Sequence, residues 1–186
     1  MKRFFDITCS IIALFILGIP MLVVSLLVKL TSKGAVLYWS DRIGRDNAIF
    51  KMPKFRTMRT DTPNVATHLL GDSDSYLTSV GKFLRQTSLD ELPQLFSIIK
   101  GDMSIVGPRP ALYNQEDLIE LRTAKGVHRL TPGLTGWAQI NGRDELSIPV
   151  KVEFDEYYLK NRSFTFDMRI IFRTFISVVK RDGVAH

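Results

Sequence analysis

Cysteine occurs once, at Cys9, and histidine three times, at His68, His128 and His186. A single thiol closes no intramolecular disulfide, and these scattered residues give no spacing suited to a local zinc site. A Walker A loop, a G-x-G-x-x-G fingerprint and a G-x-S-x-G elbow are all missing. The familiar signatures of P-loop, dinucleotide-binding and serine-hydrolase chemistry are therefore absent. There are no internal repeats and no low-complexity tract. What remains is 186 residues, 45% hydrophobic and 24% charged, a balance that suits one folded domain and excludes a disordered or collagen-like chain. Twenty-five Lys and Arg against 19 Asp and Glu leave a net charge of +6. A mean hydropathy of +0.05 is high for a soluble chain and far too low for a bundle of membrane spans.

The hydrophobicity is concentrated in residues 7–28, which carry no charge and only Thr8, Cys9, Ser10 and Ser25 as polar side chains. As a straight helix this stretch would be roughly 33 Å long, enough to cross a hydrocarbon core of about 30 Å. It is too long for the apolar core of a secretory signal and has no small-residue cleavage site after it. Gly18 and Pro20 fall near its middle, and proline removes a backbone hydrogen bond there. Lys2 and Arg3 precede the stretch, and Lys29 and Lys33 follow it, so flanking charge selects no orientation. A helix-break-helix hairpin with both ends on one side and a kinked single span both satisfy these facts. The segment over residues 1–33 is expected to be the membrane element, and residues 34–186 the globular domain.

Short strands are expected at residues 35–39 and 48–52, and a polar loop over 60–79. Helices are expected at 80–84 and 93–100, the latter closed by Gly101, and at 112–125, 150–159 and 166–180. The fold class is thus α/β, mostly helical with few short strands. The last helix sets Ile170, Phe172, Phe175 and Val178 beside Arg169 and Arg173, an apolar face with basic neighbours that suits either a domain core or an anionic membrane surface.

Residues 85–95 are the densest polar constellation. Ser88 and Glu91 have capping-box spacing, which offers a structural explanation. Asp90 and Glu91 suggest chemistry as well. Adjacent carboxylates on a helix point about 100° apart, so they suit different tasks better than a shared one. Arg109 lies between Pro108 and Pro110, whose fixed backbone suits a guanidinium presented to a phosphate. Arg42, Arg45, Lys51, Lys54, Arg56 and Arg59 form a basic segment directly after the apolar one, by default solvated surface and alternatively a contact for lipid phosphates. Asp72-Ser73-Asp74 copies a D-x-D metal pattern, a triplet that chance readily produces in polar loops. His128, Trp39 and Trp137 read as surface or packing residues.

Four motifs in order complete the picture: R-I-G-R-D-N-A-I-F-K-M-P-K-F-R-T-M over 42–58, R-Q-T-S-L-D-E-L-P-Q-L-F over 85–96, K-G-D-M-S-I-V-G-P-R-P over 100–110, and T-P-G-L-T-G-W-A-Q-I-N-G-R over 131–143. With the proline-bearing apolar segment, they make the chain resemble the small monotopic phosphoglycosyl transferases, bacterial sugar transferases that begin lipid-linked glycan assembly. The resemblance implies a re-entrant membrane helix broken near Gly18 and Pro20, with interfacial amphipathic helices, on the cytoplasmic face of the bacterial inner membrane. Ile19 stands where family members often carry serine, so the break would rest on Gly18 and Pro20.

The resemblance also implies transfer of a phospho-sugar from a UDP-sugar to polyprenol phosphate, typically undecaprenyl phosphate, with release of UMP. By motif, Asp90 is the nucleophile and Glu91 its dyad partner, with Mg²⁺ near Asp90 and the diphosphate. Lys54, Arg85 and Arg109 fall around the phosphates, Asp167 is a further active-site acid, and Arg143 lies in the nucleotide region. The short form suggests an N-acetylated amino sugar as donor and no added sugar-modifying domain. A homodimer is compatible with this class, and nucleic acid is not an expected partner. The rival reading is a basic, membrane-anchored binding module without catalysis, which UMP release would exclude.

Overall fold

The computed structural model describes residues 1–63, 74–142 and 146–180. The apolar segment is part of α1 (Lys2–Thr31), a single helix of 30 residues and about 45 Å of rise. Gly18-Ile19-Pro20 does not divide it into two helices: Pro20 lies inside one continuous α-helix. The expected hairpin break is therefore absent from this structure. The physical reason is that the proline ring fixes φ near −65°, a helical value, so only one hydrogen bond and local packing oppose continuation. Among the described residues, α1 is the one helix long and apolar enough to cross a membrane.

Its sides differ. Asp6, Ser10, Val24 and Val28 are buried, and Ala13, Leu14 and Met21 pack against the globular core. These positions recur every three or four residues, as one helix face must. The opposite face is bare hydrocarbon, with Phe15 91% and Ile19 76% exposed. Both ends are tied to the same globular body. At the start, the Arg3 guanidinium donates to the Ile98 and Ile99 carbonyls. The Asp6 carboxylate accepts from Ser104 Oγ at 2.8 Å and from the Ile105 amide at 3.2 Å. At the far end, Arg56 Nη2 donates to the Ser32 carbonyl at 3.0 Å and its hydroxyl at 2.8 Å.

The strands make two small sheets. β1 (Leu37–Ile43) and β2 (Ile49–Phe55) pair antiparallel, with Leu37 opposite Phe55 and Ile43 opposite Ile49. Both extend further than the sequence suggests, because the turn between them places Asp46 and Asn47 at positive φ and lets pairing run through Arg42 and Lys54. Next come α2 (Gly81–Gln86), a 3-10 turn at Leu89–Glu91, and α3 (Gln94–Lys100). Gly101 follows α3 at φ 109°, the left-handed helix stop that the sequence signals.

β3 (Ser104–Val106) and β4 (Gly133–Thr135) pair in parallel. A Cβ on Gly133 would lie 2.1 Å from the Gly107 amide nitrogen, and one on Gly136 2.1 Å from the Gly107 carbonyl oxygen. The glycines of the third and fourth motifs thus permit a backbone contact that any side chain would block. α4 (Glu116–Ala124), the short α5 (Trp137–Ile140), α6 (Ile148–Asn161) and α7 (Phe164–Lys180) complete the chain. Val106, Val127, Leu130, Tyr158 and Ile170 form one buried cluster. Met52, Leu95, Ile98 and Met103 form another. On α7, Ile170 is buried while Phe172, Phe175 and Val178 face outward. The final helix therefore divides its apolar residues between core and surface.

Candidate active site

The 3-10 turn at Leu89–Glu91 delivers the two acids. It begins at Ser88, whose φ of 55° lies in the left-handed region, and the Ser88 hydroxyl makes no cap bond. The capping-box explanation for Ser88 and Glu91 is thereby overturned, because the Glu91 side chain points elsewhere. Its Oε1 accepts from Lys54 Nζ at 2.7 Å and from Arg109 Nη2 at 3.2 Å. Lys54 comes from β2 and Arg109 from the turn after β3, so three motifs meet at one oxygen.

Asp90 is next door and differently placed. It is buried, and its carboxylate accepts no hydrogen bond from the described residues. Arg85, at the end of α2, donates from Nε to Thr57 Oγ1 at 3.1 Å, leaving its terminal nitrogens unbonded among the described residues. Its charge acts on Asp90 across the site. Lys54, Arg85, Asp90, Glu91 and Arg109 therefore come together as the motifs imply.

The pair of acids has split properties. Burial pushes the Asp90 carboxyl up to about 6; Lys54, Arg85 and Arg109 pull against that rise and the Glu91 charge adds to it. Burial also opposes the charge on Glu91, but Lys54 and Arg109 outweigh it and hold that carboxyl well below the usual range. One acid is a fixed anion that seats two cations. The other accepts no hydrogen bond from the described residues and is pushed up by burial to about 6, the separation of environments that assigns neighbouring carboxylates to different roles.

Asp167 makes no hydrogen bond or ion pair with any member of this cluster. Its Oδ2 accepts from Lys2 Nζ at 2.6 Å and its Oδ1 from the Tyr158 hydroxyl at 2.7 Å. That network ties the start of α1 to α6 and α7. Arg143 lies outside the described residues, as do Asp72 and Ser73 of the D-x-D triplet; Asp74 pairs with Lys82 at 3.0 Å. Sequence reasoning missed Thr57, which steadies Arg85, and the buried ion pair of Arg122 with Asp155. Nothing in the sequence marks a pair 33 positions apart on two ordinary helices.

No group of three or more His, Cys, Asp or Glu among the described residues forms a metal cage. Mg²⁺ does not need one: it is commonly held by one or two carboxylates together with substrate phosphates and water. Asp90, buried and without a hydrogen-bond partner among the described residues, fits that donor set.

The model of the family described as bacterial sugar transferase matches residues 1–181. The chain is 38% identical to the undecaprenyl-phosphate galactose phosphotransferase of Salmonella typhimurium, across 98% of its own length and 41% of that protein's. It is 35% identical to the UDP-N-acetylgalactosamine-undecaprenyl-phosphate N-acetylgalactosaminephosphotransferase of Aeromonas hydrophila, across 98% of itself and 44% of that protein. With the uncharacterized sugar transferase EpsL of Bacillus subtilis it shares 40% identity over 99% of this chain and 90% of EpsL. It thus spans less than half of the first two relatives and nearly all of the third. With its motif residues gathered at one acid pair and a family match over almost its whole length, the chain belongs to the bacterial sugar transferases.

Proposed function

We propose that this protein transfers a sugar phosphate from a UDP-sugar to undecaprenyl phosphate through a covalent intermediate on Asp90. The observation that carries the reading is the contrast within the acid pair. Asp90 is buried and accepts no hydrogen bond from the described residues, while Glu91 is held through Oε1 by Lys54 and Arg109. A carboxylate free of hydrogen bonds and raised toward neutrality is a better nucleophile than one bound by two cations. An Asp90 oxygen attacks the sugar-bearing phosphorus, the bond from that phosphorus to the bridging oxygen breaks, and UMP leaves. A phosphate oxygen of undecaprenyl phosphate then attacks the same phosphorus, the bond to Asp90 breaks, and the free carboxylate returns. The product is the lipid diphosphate sugar.

Lys54, Arg85 and Arg109 offset the repulsion between an anionic nucleophile and a charged diphosphate. Asp90 and the donor's phosphates would hold Mg²⁺, which supplies further charge neutralisation when bound. An N-acetylated amino sugar is the donor we favour, and the named activity of the Aeromonas relative supports that class. The Salmonella relative's name points instead to a hexose. The test is UMP release with undecaprenyl phosphate over a panel of UDP-glucose, UDP-galactose, UDP-N-acetylglucosamine, UDP-N-acetylgalactosamine and a deoxygenated UDP-N-acetylhexosamine. Release with none of them would sink the reading. A sugar-phosphate mass increment on the Asp90 peptide, formed with donor alone, tests the covalent step.

The protein is seated from the cytoplasmic side of the inner membrane, with both ends of α1 on that side. Docking of Arg3, Asp6 and Ser32 on one globular body supports this, as does the exposed hydrocarbon face between them. In a variant lacking Cys9, cysteines placed near Lys2 and Lys33 should be labelled from the same side. Labelling from opposite sides would mean that α1 spans.

A further inference from the structure

Arg109 sits between two prolines, so the turn that presents it has few backbone amides by which it can be held. Its carbonyls do the holding instead. Pro108 O accepts from the Gly133 amide at 2.9 Å and Arg109 O from Arg122 Nη1 at 2.8 Å. Pro110 O accepts from Arg42 Nη1 at 3.2 Å and Ala111 O from the Ile43 amide at 2.9 Å. Four successive carbonyls are thus fixed by β4, α4 and β1.

The contact from α4 is the most constrained of the four. Arg122 is buried, and Asp155 on α6 takes one edge of its guanidinium, with Nε at 2.9 Å and Nη2 at 2.6 Å from the same Oδ2. A planar fork gripped on those nitrogens has its remaining one aimed in a set direction. That nitrogen, Nη1, is the one that holds Arg109 O. Leu118 of α4, Val152 of α6 and Ala111 at the end of the turn share one buried cluster, which backs the arrangement with packing.

We propose that the Arg122–Asp155 pair is a positioning device for Arg109, fixing the backbone from which that guanidinium reaches Glu91 and the donor's diphosphate. The proposal rests on the transferase reading above. Neither residue touches the acid pair, and their effect passes through one carbonyl. Lysine at position 122 keeps the charge but replaces a planar fork of three nitrogens by one ammonium on a flexible stem, so the fixed geometry between Asp155 and Arg109 O is lost.

The test is a double-mutant cycle on the full chain: wild type, Arg122→Lys, Arg109→Lys and the double variant. Each is assayed for UMP release with undecaprenyl phosphate and the UDP-sugar that the donor panel identifies, with thermal melting on the same preparations. Arg122→Lys should lower kcat on the order of 10- to 100-fold, the scale of a misplaced charge contact, with KM for undecaprenyl phosphate unchanged. In the Arg109→Lys background the same substitution should cost less than about twofold, because the group it positions is already gone. If its full loss recurs there, or if Arg122→Lys alone keeps wild-type kcat, the positioning role is overturned. Asp155→Asn, which keeps the shape and removes the charge, runs through the same cycle with the same criteria should Arg122→Lys fail to fold. No UMP release by wild type would instead end the transferase reading on which this role depends.

Discussion

Two carboxylates in this protein, Asp167 buried and Glu91 half-buried, each take a lysine, and they differ in what stands next to them. Asp167 accepts from Lys2 and Tyr158, so its charge is matched by a lysine and one phenol hydroxyl. Glu91 accepts from Lys54 and Arg109, and beside it lies Asp90, buried and bonded to none of the described residues. A matched buried acid is an anchor. A matched acid adjoining an unmatched one, with cations left over, is a place where a negatively charged ligand finishes the electrostatics.

The sharpest way to break this contrast is Asp90→Asn. Turnover should fall by about four orders of magnitude, while the fold gains. Asp90 rises from 3.8 to about 6 on folding, so the folded state holds that proton more tightly than the unfolded one. The penalty for ionised Asp90 is absent below the unfolded value, grows between the two, and is complete above about 6. It corresponds to at most about 3 kcal/mol. Melting temperatures without Mg²⁺ or nucleotide should therefore be higher for Asp90→Asn at pH 7.5 and equal to wild type near pH 3.5. Full turnover by the well-folded variant would remove the covalent mechanism.

Glu91→Gln comes next, with an expected loss on the order of 10²- to 10³-fold as two cations lose their seat. Kinetic comparison with Lys54→Met and the double variant should show strong non-additivity, and additive losses would mean that the two act separately. Arg109→Lys should cost roughly 30- to 1000-fold, or about 2–4 kcal/mol of transition-state stabilisation, at a nearly unchanged melting temperature. The smallest catalytic effect belongs to the other carboxylate. Asp167→Asn should lower stability by about 1–3 kcal/mol and reduce the membrane-bound fraction. Per mole of folded, membrane-bound protein its UMP release should stay within about threefold of wild type. A large loss there, with an intact melt, would return Asp167 to the active site.

The sequence made the site's inventory legible because its residues travel in compact motifs: Lys54, Arg85, Asp90, Glu91 and Arg109 each sit among recognisable neighbours. Gly101 announced a helix stop through chemistry that only the local backbone decides. Partnerships were not legible. Ser88 and Glu91 had the spacing of a cap, yet tertiary contacts from β2 and the proline turn captured the glutamate instead. β3 and β4 are three residues each, too short for any alternation to register, and what defines them is the mutual approach of Gly107, Gly133 and Gly136. Arg122 and Asp155 look like ordinary helix surface until α4 meets α6. Pro20 suggested a break where packing along one face of α1 holds a helix together.

The two faces of α1 also impose an order on the protein's own manufacture. Asp6 depends on Ser104 and Ile105, made about a hundred residues later, and Lys2 on Asp167, later by 165 positions. At ribosomal rates of about 5–20 residues per second, α1 waits roughly 5–20 s for the first of these partners. During that interval its carboxylate has no protein ligand, and the surrounding hydrocarbon has only lipid or a chaperone to rest on. Asp6 therefore keeps its water until the segment that carries Ser104 and Ile105 has been made. The final seat of α1 is reached only once the domain that hydrogen-bonds that carboxylate has been synthesised and folded.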